Sequence, residues 1–188
     1  LACLRSLARH GAQAPFEVIV VDDASPDDSA ATLAQVDGVQ LLRNPANLGF
    51  IGSSNAGAAQ SRGEFLLFLN NDTQVTPDWL DALLRCFAER TDCGIAGSRL
   101  VYPDGRLQEA GGLVFADGSC WTTGRFEPRD APAFRYRRET DYVSGASLMI
   151  RRDVFQRLRG FDTRYAPAYY EDTDLAFAVR RIGLRVYY

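Results

Sequence analysis

EFLLFLNNDT, residues 64–73, decides how this sequence folds. Phe65–Leu69 is a continuous apolar run with no polar alternation, the pattern of a strand buried on both faces in a largely parallel sheet. The run passes straight into Asn70, Asn71 and Asp72, which therefore sit at the strand's carboxyl end, where open α/β sheets bind ligands. A carboxylate held there beside two amides can take a hard divalent cation that carries a phosphate-bearing substrate.

Upstream, FEVIVVDDAS (16–25) repeats the theme: Phe16–Val21 predicts a second buried strand, rich in β-branched residues, ending on Asp22 and Asp23. Ser25-Pro26-Asp27-Asp28 reads as a helix start, with an N-cap hydroxyl, proline in the first turn and carboxylates at the positive end of the dipole; that helix is predicted to run to about Val36. Val39–Arg43 predicts a third strand, and Leu1–Gly11 a helix closed by its glycine. NPANLGFIGSSNAGAAQSRG (44–63) predicts a turn and a helix of very small residues. Each interior glycine costs about 1 kcal/mol relative to alanine, so the lack of bulk must serve a close approach. Tight packing on the sheet and room for a nucleotide both explain it.

Downstream, Thr76-Pro77-Asp78 caps a predicted helix through Arg90, and Gly94–Leu100 is another strand. The alternation of strands and helices predicts an α/β fold, a doubly wound sheet of mainly parallel strands. Beyond Val101 the character changes. Tyr102-Pro103-Asp104-Gly105 is a turn, and Asp117-Gly118 between LVF and CW signals a hairpin. Arg125–Glu139 (RFEPRDAPAFRYRRE) reads as a long irregular surface segment of the kind that forms lids and binding loops. Asp141–Ile150 predicts a strand broken at Ser144-Gly145-Ala146. Arg151–Leu158 predicts a short helix, Tyr169–Gly183 the last helix, and Leu184–Tyr188 a final strand.

The 188 residues, 46% hydrophobic and 24% charged, suffice for one domain with a real core. A net charge of -3 and a single histidine exclude a nucleic-acid binder that works by neutralising phosphates. Cys3, Cys86, Cys93 and Cys120 have neither zinc-site spacing nor disulfide-scaffold density, and are expected to be reduced, mostly buried and hence cytosolic. No apolar run reaches the roughly 20 residues of a membrane span, and no signal peptide is visible. Leu1–Arg9 already reads as helix interior, so the chain is expected to be part of a longer protein.

Three acidic clusters stand out: Asp22 with Asp23, Asp72, and Glu171 with Asp172 and Asp174. Each alone has an innocent explanation in a turn or a helix N-terminus. Together, at strand ends and at a helix start beyond an irregular segment, they describe a site. A phosphatase of the DxDxT kind is excluded because Asn70 stands where the nucleophilic Asp is needed. A dinucleotide-binding domain is excluded because VVDDASPDD offers carboxylates where the pyrophosphate would sit.

VIVVDDASPDDS (18–29), NLGFIGSSNAGAAQSRGEFLLFLNNDT (47–73), YVSGASLMIRR (142–152) and GFDTRYAPAYYEDTDLAFAVRRIG (160–183) resemble the family-2 inverting glycosyltransferases of GT-A fold, nearest the bacterial O-antigen and rhamnosyltransferase-like branch. The resemblance runs from Phe16 onward. It implies a GT-A type sheet whose first strand and C-terminal end lie outside this sequence, with residues 1–100 the nucleotide-sugar-binding half and 101–188 the acceptor and catalytic-base half of one catalytic domain. It implies that Asp22 and Asp23 hold base and ribose, with Asn47, Gly49, Asn55 and Asn71 also on the donor. Asp72, last in the DxD position, would bind Mg²⁺ or Mn²⁺ at the diphosphate; Asn70 departs from the Asp that many relatives carry first. Asp172 would be the general base with Glu171 its neighbour, and Ser144, Gly145 and Ala146 would flank the acceptor. The implied reaction moves a sugar from a UDP- or dTDP-type donor to a saccharide or lipid-linked acceptor with inversion, in cell-surface polysaccharide synthesis. The implied setting is cytoplasmic, at the inner face of the membrane, with peripheral membrane association and further domains supplied by a parent protein. The alternative is a catalytically inactive, transferase-like binding module.

Overall fold

A computed structural model describes residues 1–188. The elements alternate as α1 (Ala2–Arg9), β1 (Val18–Asp22), α2 (Ser29–Leu33), β2 (Val39–Arg43), α3 (Gly49–Gln60), β3 (Phe65–Leu69), α4 (Trp79–Glu89) and β4 (Cys93–Gly97). Short strands follow, β5 (Leu100–Val101), β6 (Leu107–Glu109), β7 (Gly112–Val114) and β8 (Cys120–Thr122), then β9 (Ser147–Arg151), α5 (Arg152–Arg157), α6 (Glu171–Arg181) and β10 (Arg185–Tyr187).

The main sheet has the order β10-β4-β9-β3. β10 runs parallel to β4, while β9 lies antiparallel between β4 and β3. Strands β3, β4 and β10 thus share one direction and β9 alone opposes them. The register sets Leu69 opposite Ser147. The carboxyl end of β3, with its NND turn, therefore meets the segment that leads into β9. This pairing builds the site.

β1 and β2 form a separate parallel pair, with Asp22 opposite Arg43. No ladder joins them to the main sheet, so β1 is half-buried apart from Asp22 instead of fully buried as its composition predicts. α3 lies against β1: a Cβ on Gly57 would lie 3.1 Å from Val21 Cγ2. At that glycine the small-residue stripe serves tight packing on the sheet. Glu17 adds a tie, accepting the Arg62 and Gly63 N–H groups.

Both faces of the main sheet are covered. Leu66 and Phe68 pack on one side with Ile51, Ile95, Ile150 and Phe155; Phe65 and Leu67 pack on the other with Leu80, Leu83 and Met149. Phe161, 1% exposed, is central to the first layer, its ring 4.8 Å from Phe68 and 5.4 Å from Phe155 by centroid. A buried aromatic of this kind contributes about 3–5 kcal/mol relative to alanine.

Several local expectations shift. α2 starts at Ser29 rather than Ser25, because the Ser25 N–H is turned back to Asp22 Oδ1 (3.3 Å) and Asp27 Oδ1 accepts from Ser29 N (3.0 Å) in an Asx turn. Asp78 precedes α4 in a left-handed conformation and makes no side-chain cap; its carboxylate pairs with Arg85 instead. The predicted strand 94–100 divides into β4 and β5, and regular pairing after the 144–146 break begins only at Ser147. Residues 125–139 are irregular, as predicted, but pinned: Leu107 and Phe126 are joined by a backbone bond of 2.8 Å, and Arg138 and Tyr188 exchange two of 3.1 Å. All four cysteines are free thiols, three of them buried. No helix is long and apolar enough to cross a membrane.

Candidate active site

Beyond β3 the chain turns at once. Asn70 donates its N–H to Ala146 O (3.0 Å), and Asn70 O accepts from Thr73 N (3.1 Å) and Thr73 Oγ1 (2.7 Å). This leaves Asn71 and Asp72 exposed at the tip. No group of three or more His, Cys, Asp or Glu side chains gathers anywhere in the chain to cage a cation. One free carboxylate beside amide and carbonyl oxygens suits a different arrangement, in which the ion keeps water and takes the rest of its shell from substrate phosphates, as Mg²⁺ commonly does. The residues present fit that shared shell, in which Asp72 would be the charged side chain from the protein.

Across from this turn, α6 is entered through Tyr169 and Tyr170, both left-handed with φ of 84° and 71°. Such backbone is strained for residues with a Cβ and clusters at functional sites. Just inside the helix the two acids part. Glu171 is buried, 6% exposed, with Oε2 lacking a partner; burial, then the charge of Asp172, push its carboxyl above the ordinary value. Asp172 stays partly exposed. Its Oδ1 takes the Thr173 N–H at 2.7 Å and its Oδ2 takes the Gly145 N–H at 3.1 Å. Gly145 fits because a Cβ there would lie 3.0 Å from the Phe50 ring.

The segment Ser144–Ala146 is thus the hub. Ala146 O holds the Asn70 turn, Gly145 N–H holds Asp172, and Ser144 N–H runs back 2.9 Å to Glu109 Oε1. Glu109, at the end of β6, is a residue that sequence reasoning missed. It is 3% exposed, and burial, then the neighbouring Asp172 charge, push its carboxyl up to about 7 despite the Ser144 bond. The one signal available was an acid inside LQEAGGLVF, a run otherwise short of charge.

Of the residues expected on the donor, Asn71 lies at the β3 turn and the others gather around the start of α3, with one exception. Asp23 Oδ1 accepts from Leu48 N and Asn44 Nδ2, both at 2.8 Å, and Oδ2 from Gly49 N at 2.8 Å. Burial acts to raise the Asp23 carboxyl, but these bonds together hold it below the usual range. Asp22 is 4% exposed, with Oδ2 3.2 Å from Arg43 Nε. Asn47 Oδ1 accepts from Gly49 N (3.1 Å). Gly49 needs its φ of 68°, and a Cβ on it would lie 2.9 Å from Pro167 O. Asn44, also missed, is buried and bridges Asp23 to Ser53 (3.0 Å). Asn55 is the exception: Phe161 N donates to its Oδ1 (2.9 Å) and its Nδ2 donates to Phe161 O (2.8 Å). Both its polar atoms are engaged with that backbone, which ties α3 to the turn before α6.

Beside the start of α6 lies an open cavity of about 650 Å³ lined by Trp121, Arg125, Phe126 and Phe134 among others. Cys120, on its wall, places Sγ 3.9 Å from Thr173 Oγ1. The cavity wall therefore reaches the first turn of the helix that carries Asp172.

Comparison with known proteins gives a consistent picture. The family described as glycosyl transferase family 2 matches residues 1–159. The chain is 35% identical over 183 residues to the O-antigen biosynthesis protein RfbC of Myxococcus xanthus, covering 91% of this chain and 14% of that protein. It is 30% identical over 197 residues to N-acetylglucosaminyl-diphospho-decaprenol L-rhamnosyltransferase of Mycobacterium tuberculosis, covering 92% of this chain and 64% of that protein. The chain therefore spans from 14% to 64% of the length of these relatives. Among solved structures, that of GalNAc-T7 with UDP, GalNAc and Mn²⁺ aligns over 98% of this chain and 38% of its own, with TM-score 0.75 at 15% identity. At that identity the likeness bears on the fold.

Proposed function

The chain belongs to glycosyl transferase family 2, with the α/β GT-A type fold, and on that premise we propose that it is the transfer domain of a metal-dependent inverting glycosyltransferase. The donor is a UDP- or dTDP-type nucleotide-sugar, the acceptor a saccharide or lipid-linked hydroxyl, and the pathway cell-surface polysaccharide synthesis. The relatives' names support that setting. Under this reading residues 1–100 bind the donor, residues 101–188 bind the acceptor and carry the base, and the domain works in the cytoplasm at the inner face of the membrane.

One observation carries the proposal: a three-residue segment, Ser144–Ala146, bonds both the Asn70 turn and Asp172, so donor turn and base candidate are held by the same piece of backbone. Asp72, with Asn71 beside it, would hold Mg²⁺ or Mn²⁺. When bound, the ion supplies Lewis-acid stabilisation of the negative charge on the departing diphosphate. Asp23, anchored by Asn44 and the α3 N-terminus, fixes the wall against which base and ribose lie, with Asp22, Asn47 and Gly49 around it. Asp172 accepts the acceptor hydroxyl proton as that oxygen attacks the sugar from the face opposite the leaving group. Asp172 Oδ1 accepts the Thr173 N–H and hydroxyl, which orients the carboxylate, while Oδ2 accepts the Gly145 N–H alone and keeps a lone pair for the incoming proton. The cavity at Trp121 and Phe126 offers aromatic faces to the acceptor.

A panel of nucleotide-sugars with Mn²⁺, tested by thermal shift on the intact protein, checks the reading. A UDP- or dTDP-type donor should raise the midpoint, mass action allowing about 2.7 kcal/mol of added stability at a hundredfold excess over Kd. No shift with any donor would favour the inactive-module alternative.

A further inference from the structure

We propose that Glu109 is a positioning residue for the transfer step: its carboxyl group fixes the Ser144–Ala146 segment from behind, and through Gly145 it sets the orientation of Asp172. This rests on the reading of Asp172 as the base. Glu109 is buried away from solvent and makes no bond to the donor turn itself. A buried carboxyl is unfavourable unless something holds it. Yet its hydrogen bond is to the Ser144 N–H at 2.9 Å, and no Arg, Lys or His acts on it as a counter-charge. The next residue along that backbone, Gly145, donates to Asp172 Oδ2, and the one after it, Ala146, accepts from Asn70 N. A group that pulls on Ser144 therefore sets the position of two functional elements at once.

The electrostatics follow from the same geometry. The titratable groups around Glu109 are Asp172 on α6 and Tyr142 on the segment before β9, whose hydroxyl is pushed up by burial and then by the Glu109 charge. Cys120 on β8 and Tyr170 ahead of α6 act on that same tyrosine. When Glu109 ionises, its charge strengthens the Ser144 bond and so holds the Gly145 N–H that orients Asp172. When Glu109 is protonated, that hold weakens. Activity should therefore rise through the pH range in which Glu109 loses its proton, near 7, independently of donor binding.

Steady-state kinetics of the intact protein test this with Glu109→Gln, which retains size and an oxygen for Ser144 N–H but cannot ionise. The expected result is a kcat at about pH 8 reduced roughly tenfold, a donor KM within about twofold of wild type, and loss of the kcat rise between about pH 6 and pH 8. Wild-type kcat with an unchanged pH profile would overturn the proposal and leave Glu109 a space-filling acid. If the variant does not fold, the wild-type protein answers the question: the ¹³C resonance of the Glu109 carboxyl must titrate in step with kcat, and a mismatch overturns the proposal. Asp172→Asn run alongside separates the two ideas. Loss of activity in Asp172→Asn together with full activity in Glu109→Gln defeats only the Glu109 role, whereas full activity in Asp172→Asn defeats the base assignment itself.

Discussion

Asp172→Asn should lower kcat by about 10²–10⁴-fold, the range that general-base catalysis contributes, while donor affinity changes by less than about threefold. The substitution keeps the shape of a side chain that is partly exposed, so folding is little affected. An amide retains one oxygen to accept from either Gly145 N–H or Thr173 N–H, the two bonds seen at 3.1 and 2.7 Å. What it loses is a site for the acceptor proton. The donor residues lie around α3 and at the β3 turn, and none of them bonds to Asp172, so the nucleotide-sugar still finds its contacts. Initial rates measured beside calorimetric titration of the donor separate the two quantities. Turnover at the wild-type rate would move the base elsewhere in the chain.

The second large effect falls on Asp72→Ala. As Asp72 is the charged side chain at the turn and the proposed metal ligand, its removal should abolish the difference that Mn²⁺ or Mg²⁺ makes to nucleotide binding. The Lewis-acid contribution is several kcal/mol, about a thousandfold in kcat/KM at 1.36 kcal/mol per factor of ten. Asp72 is exposed at the tip of its turn, so the melting temperature without ligand should be unchanged. Chelator added to the wild-type protein should reproduce the variant. Equal UDP or dTDP thermal shifts with and without chelator would remove Asp72 from any metal site.

Much of this architecture was legible because its signals are local. EFLLFLNNDT announces a strand and a polar tip through five consecutive apolar residues, and β3 occupies those same five, Phe65–Leu69, although at the edge of its sheet only Leu66 and Phe68 are buried and the other three are half-buried. FEVIVVDD announces the next acid-tipped strand in the same way, although β1 proved less buried because strand composition carries no information about which edges find partners. The insertion of β9 antiparallel between β3 and β4 was not readable, since it joins residues about eighty and about fifty positions apart and no turn between them fixes the register. The same gap hid Glu109: its importance lies in facing Ser144 and Asp172, which belong to segments 35 and 63 residues later. Ser25 misled as a helix cap because Asp22 competes for its N–H, and the tie from Asn55 to the Phe161 backbone was not readable because the two lie 106 residues apart.

Asp172 acting as a base in a single displacement requires the sugar to arrive on the acceptor with its anomeric configuration reversed. The anomeric proton coupling of the newly formed glycosidic linkage, read by NMR on the first-formed product, tests this directly on the intact protein. An inverted product is predicted; a retained configuration would contradict the assignment of Asp172 and the constellation built on it.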